Sequence, residues 1–182
     1  MGSVSKVFSV ILRLGELVGG VIVLALLGRF LYIVGEANVY ADSRIIYTTV
    51  VSCIAIALSI LFMPPFTCSF MAFPIDFILF TLFLVAFCLL ETLTGTDTCN
   101  AVWYWSYWGY LWGGFWRTPV VVTGPGDIGW AGCASWRTVL AFTFLSSMAF
   151  LFSSVLVGTF LFTCSHCPGE LRLTQGRACA LS

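Results

Sequence analysis

The sequence predicts an all-α fold, an integral-membrane four-helix bundle with a long aromatic-rich extracytosolic loop between its third and fourth helices. Three observations predict it. Of the 182 residues 60% are hydrophobic, only 9% are charged, and the apolar residues gather into four runs of bilayer-spanning length. Mean hydropathy is +1.03. A water-facing surface needs roughly a quarter of its residues charged, and eight acids plus eight bases cannot supply that. A soluble enzyme is excluded on this count. Net charge is zero, Lys6 is the single lysine and no basic run exists, so nucleic acid is excluded as a partner.

A helix crosses a bilayer on about 20 apolar residues, because backbone polar groups cannot be left facing lipid. The first run covers residues 7–34 and ends at Gly35-Glu36-Ala37-Asn38. Lys6 ahead of it imitates a signal peptide, but the run is about twice the length of a signal core. Arg13, Glu16 and Arg29 also interrupt it, so a retained first helix is expected. The second run, 45–63, stops at Pro64-Pro65; the third, 75–93, is followed by Gly95 to Asp97; the fourth, 138–162, closes at Cys164 to Gly169. Together they make one domain, residues 1–163, with a short tail, 164–182. An even number of spans puts both termini on one side with the short connection 66–72, and a long loop, 91–137, on the other.

That loop carries Trp103, Trp105, Trp108, Trp112 and Trp116 among tyrosines. Trp105, Trp108 and Trp112 fall at helical spacing, so a short helix with one indole face is expected to lie flat in the headgroup zone as interfacial aromatics. Thr123-Gly124-Pro125-Gly126-Asp127 reads as a turn.

Lysine and arginine counts do not orient the bundle. Lys6, Arg172 and Arg177 on the terminal side balance Arg44, Arg117 and Arg137 on the loop side. Cysteine chemistry does the orienting. Cys99 and Cys133 are the two cysteines of the long loop and are expected to form a disulfide on an oxidising side. Cys53 and Cys88, inside spans, read as small apolar fillers. Cys164 and Cys167 flank the end of the fourth span as Cys-x-x-Cys, a pattern of thiol redox or zinc sites. The loop cysteines lie across the bilayer from them, and His166 is the chain's single histidine, so no metal and no cofactor are expected. Juxtamembrane S-acylation is the plainer reading. Cys179-Ala180-Leu181-Ser182 fits the C-a-a-X pattern of prenylation, which would place the tail in the cytosol; modification and coincidence weigh equally.

Ionisable residues inside spans are functional candidates by default. Equal depth pairs Arg13 with Asp76 at one end of helices one and three, and Arg29 with Glu91 at the other, with Glu16 one turn deeper than Arg13. The alternative is that both arginines snorkel to headgroups. Gly15 and Gly19, Ala55 and Ser59, and Ser154 and Gly158 repeat a small-xxx-small spacing, read first as packing within the chain and second as a homo-oligomer contact.

The layout resembles MARVEL-type tetraspan membrane proteins, especially the small fungal ones related to the non-classical export proteins. The likeness rests on the Arg-containing first helix at 13–17, on Phe73-Pro74-Ile75-Asp76-Phe77, on the cysteine-bearing loop, and on Cys133-Ala134-Ser135-Trp136-Arg137 leading into Ala141-Phe142-Thr143-Phe144-Leu145-Ser146. It covers residues 7–162; the Trp-rich loop and the C-a-a-X ending depart from it. The resemblance implies cytosolic termini, residence in the plasma membrane or a secretory-pathway membrane, and a non-enzymatic role in membrane microdomains or vesicle traffic through contacts with the bilayer, sterol, sphingolipid or protein. The alternative class is an integral-membrane enzyme, for instance a cyclase of an isoprenoid or polyketide, with Asp76, Glu16 or Glu91 as acid and aromatics steadying a cation. A transporter would need more polar groups at the midplane.

Overall fold

The computed structural model describes residues 3–62, 69–97, 99–113 and 131–165. Four long helices dominate: α1 (Ser3–Glu36), α2 (Ser43–Leu61), α3 (Ser69–Thr94) and α5 (Cys133–Ser165), with the short α4 (Tyr110–Gly113) in the long loop. A single 3₁₀ turn, Gly95–Asp97, follows α3, and a π-helical stretch, Tyr104–Gly109, leads into α4. Among the described residues no strand occurs. Val10–Glu36, Ser43–Leu61, Pro74–Thr94 and Cys133–Thr159 are each long and apolar enough to cross a membrane.

The helix ends have local causes. Asp42 caps α2, its side chain accepting from the Arg44 backbone N–H at 2.9 Å. α3 starts ahead of the expected Ile75 because Pro74 sits near its beginning, where a missing N–H forfeits one backbone bond rather than breaking a long ladder. α5 starts at Cys133, five residues before the apolar run at Thr138, because its first turn is helical without being apolar. The preceding Gly132 has φ 72°, a left-handed turn, and the Trp112 ring lies against the place where its Cβ would be.

The long helices form a square. α1 packs on α2 and α5, and α3 packs on the same two, leaving α1 opposite α3 across a diagonal. Neighbours are antiparallel. Phe83 stacks on Phe150 while Phe87 meets Phe144, and Glu16 meets Ser153 while Gly19 lies against Ser146, so residue numbers run in opposite directions across each seam. Close approach follows from small side chains. Gly20 packs under Ile56, and a Cβ on Gly19 would collide with the Ser146 hydroxyl. Buried Thr48, Ser52, Thr143, Ser147 and Ser154 each donate to a carbonyl of their own helix, so their hydroxyls cost little inside.

Two apolar clusters fill the interior. One, around Val51, Ala55, Leu79, Phe83 and Phe150, lies on the α2, α3 and α5 faces. The other runs from Val23, Leu27 and Phe30 of α1 up to Tyr104, Trp108 and Trp136. The outward faces are apolar too, with Val18, Ile46, Val50, Ile78, Val85 and Phe152 exposed. Cys53 and Cys88, read as small apolar fillers inside spans, are exposed on those outward faces. Gly15 is also exposed with nothing near it, so of the Gly15/Gly19 pair only Gly19 packs within the chain.

Gly132→Ala is expected to lower stability by about 1–2 kcal/mol from backbone strain alone, and further through displacement of Trp112. Thermal unfolding in detergent micelles, followed by circular dichroism, checks this; an unchanged midpoint would contradict the tight Gly132–Trp112 contact.

Candidate functional site

Arg13 and Glu16 lie three residues apart, hence on one face of α1, and that face points into the bundle. Arg13 Nη1 donates to Glu16 Oε2 at 3.0 Å and to Asp76 Oδ1 at 2.7 Å, and Nη2 donates to Asp76 Oδ2 at 2.5 Å. The Asp76 contact is the two-pronged guanidinium–carboxylate geometry, the strongest form of this pair. Ser153 of α5 donates to Glu16 Oε1. Three helices are thus tied by one guanidinium and one hydroxyl. All three ionic groups are buried, Asp76 completely and Glu16 to 1% exposure.

The second constellation closes the opposite end. Cys99 and Cys133 form a disulfide with Cα atoms 5.8 Å apart, spanning 34 residues of chain. Under it, Trp108 is fully buried and stacks on Phe30 of α1 at 4.3 Å between ring centroids, with Trp136 at 4.9 Å. Three of the rings have fixed hydrogen bonds, whereas Trp105 Nε1, the Tyr107 hydroxyl and Trp112 Nε1 are buried without a partner among the described residues. Trp108 Nε1 donates to the Gly132 carbonyl at 3.0 Å, Trp136 Nε1 to Thr94 Oγ1 at 3.2 Å, and the Tyr104 hydroxyl to the Ala131 carbonyl at 2.5 Å. Burial pushes the Tyr104 phenol above its ordinary range, against the opposing pull of Arg137.

The expected sites sort as follows. Arg13 and Asp76 meet, and so do Cys99 and Cys133. Arg29 and Glu91 do not form the expected ion pair: Arg29 is on the exposed face of α1 and Glu91 is half-buried. The reason is azimuth. α1 and α3 are diagonal, and at this level Leu27 and Phe30, both fully buried, occupy the inner face of α1. Trp108 is a core side chain rather than an interfacial anchor, and Trp103, Trp105 and Trp112 are half-buried against the same cluster. The π-helical stretch changes the spacing on which the flat amphipathic helix was expected. Trp116, Cys167 and Cys179 lie outside the described residues, as do Pro64, Pro65 and the Thr123–Asp127 turn, and Cys164 is in the last turn of α5. Among the described residues no group of three His, Cys, Asp or Glu is placed to hold a metal ion.

Sequence reasoning missed Ser153, Thr94 and Trp136 as site members. Ser153 had a signal, since Ser146 and Ser153 are seven residues apart and so share a helix face. Set beside protein family models, curated proteins and solved structures, the chain matches none of them. What defines its class is therefore its own architecture, an all-α chain with four helices of membrane-spanning length and apolarity.

Removing the guanidinium leaves the fully buried Asp76 without its cation and Glu16 without its donor, so Arg13→Ala is expected to cost about 3–5 kcal/mol. Asp76→Asn should cost less, because Arg13 keeps Glu16. Denaturant unfolding of the two variants measures the order, and Arg13→Asp should be partly rescued by Asp76→Arg; a swap that restores nothing would refute the pairing. Reducing the disulfide should cost about 4 kcal/mol on the chain-entropy relation for a loop of this length, read as a lowered unfolding midpoint with excess reductant.

Proposed function

We propose that the chain is an integral-membrane tetraspan of MARVEL type that organises membrane microdomains or assists vesicle traffic through helix packing and contacts with lipid and protein, without catalysis. In this reading the termini are cytosolic, the membrane is the plasma membrane or one of the secretory pathway, and the disulfide-closed loop faces the oxidising side. The observation that carries it is an inverted distribution of side chains. Outward faces of all four long helices carry apolar residues such as Val18, Val50, Ile78 and Phe152, while the ionic groups Arg13, Glu16 and Asp76 are turned inward onto one another.

Depth supports a structural rather than a transporting role for that charge. In the apolar runs 7–34 and 75–93 Arg13 is six residues from one end and Asp76 one, at most roughly 9 Å along the helix axis, so the charged layer lies nearer the end of the runs than the midplane where substrate paths run. The carboxylates that an enzyme would need are engaged: Asp76 by both arms of Arg13, and Glu16 by Arg13 and Ser153.

The experiment is reconstitution of the tagged full chain in giant vesicles with coexisting sterol- and sphingolipid-rich and fluid phases. Concentration in the ordered phase, with altered domain size as protein is added, is the expected outcome. An even distribution with unchanged domains would overturn the microdomain reading.

A further inference from the structure

The buried ionic layer does not balance. Arg13 brings one positive charge, while Asp76 and Glu16 bring two negative ones. α1 contributes Arg13 and Glu16, α3 contributes Asp76, α5 contributes the hydroxyl of Ser153, and α2 contributes the hydroxyl of Ser59 on its buried face. Among the residues whose side chains are described, 10–62, 74–96, 99–113 and 131–159, no second cation pairs with either carboxylate. An isolated ionised carboxylate in a protein interior is so costly that the group takes up a proton instead.

We propose that Glu16 carries its carboxyl proton at neutral pH, which makes the α1–α5 contact of this bundle a proton-binding site. The choice between the two acids follows from their contacts. Both oxygens of Asp76 accept from the guanidinium, whose two nitrogens match an ionised carboxylate. Glu16 receives one guanidinium bond, on Oε2, and its Oε1 is opposite a hydroxyl that can accept as well as donate. With the proton on Glu16 Oε1, that bond reverses and Ser153 Oγ accepts. The Ser153 proton then turns to a carbonyl of its own helix, as those of Ser147 and Ser154 already do.

An independent mark lies in the same layer. Ser59 is 1% exposed, and its hydroxyl has no hydrogen-bond partner. Ile56 packs on Gly20, so in antiparallel register Ser59 falls level with Glu16 and Leu17. Each of the four long helices therefore presents a polar side chain at this depth, and one of these groups has spare capacity to donate and accept.

Infrared spectroscopy of the full chain in lipid vesicles at neutral pH tests the site, because an un-ionised carboxylic acid has a carbonyl stretch separate from carboxylate bands. The expected result is one such band that moves to lower frequency when glutamate is labelled with ¹³C at its side-chain carboxyl and is lost in Glu16→Gln. A chain carrying Glu36→Gln, Glu91→Gln and Glu170→Gln, in which Glu16 is the last glutamate, keeps the labelled band. That arm decides the matter even if Glu16→Gln fails to fold. No band in the wild type, a band unmoved by labelled glutamate, or its loss in the triple variant would overturn the proposal. Asp76→Asn supplies a further check: with Arg13 left to Glu16 alone, the proton is released and the band disappears.

Discussion

The guanidinium of Arg13 spans the diagonal of a square of helices, and the geometry of the whole bundle has to be compatible with that reach. Helices that touch have axes about 8–10 Å apart, so opposite corners of a square are about 13 Å apart. A long arginine and a short aspartate close such a gap only if the sides of the square are tight. The glycines of α1 and the serines of α2 and α5 make them so: Gly19 against Ser146 and Gly20 beneath Ile56 bring the backbones together, and Ala55 and Ser59 keep α2 slim. Small residues at the seams and a large cation across the centre are thus two halves of one constraint.

The two ends of the bundle solve the same problem by different means. At the Arg13 end, electrostatics joins α1, α3 and α5 through groups that are individually expensive to bury and economical only as a set. At the other end, the long loop returns over the bundle and is held by a covalent bond, stacked rings and three directed hydrogen bonds. Trp136 connects the two regimes. It starts α5 beside Cys133, bonds Thr94 at the end of α3, and packs on Trp103 and Trp108 of the loop. The cap therefore fixes the α3–α5 seam at its far end, as Glu16 and Ser153 fix the α1–α5 seam at the near one.

What could be read from sequence was what depends on length and composition. Four apolar runs became four helices, and the lone loop cysteines became a disulfide. Equal depth paired Arg13 with Asp76, yet the same reasoning failed for Arg29 and Glu91. Depth fixes the level of a residue, whereas contact also needs the right side of the helix, and one residue turns the helix by 100°. Phe30 faces inward and Arg29 outward for that reason alone. The aromatic loop was misread for a related reason. Indoles at 3.6-residue spacing make a face only on an α-helix, and the π-helical turn at Tyr104–Gly109 brings Trp108 into the core. Nothing in residues 104–109 taken alone announces a π-turn; it follows from how the loop must pack over Phe30 and Trp136.

The scarcity of charge, which first excluded a soluble fold, has a position as well as an amount. Between Glu16 and Arg29 α1 carries no charge, α2 carries none after Arg44, α3 none between Asp76 and Glu91, and α5 none after Arg137. In α1 that interval is 12 residues, roughly 18 Å along the axis, shorter than a hydrocarbon core of about 30 Å. The difference has to be met at the two edges, and the edges meet it differently. At one edge Arg13, Glu16 and Asp76 turn inward onto one another, so Val10, Ile11 and Leu14 keep the outer surface of α1 apolar at their level. At the other, Arg29 is exposed on the outer face of α1, where a long side chain can snorkel to a headgroup layer. Arg13 is thus buried and Arg29 exposed, an asymmetry set by which side of α1 each arginine occupies.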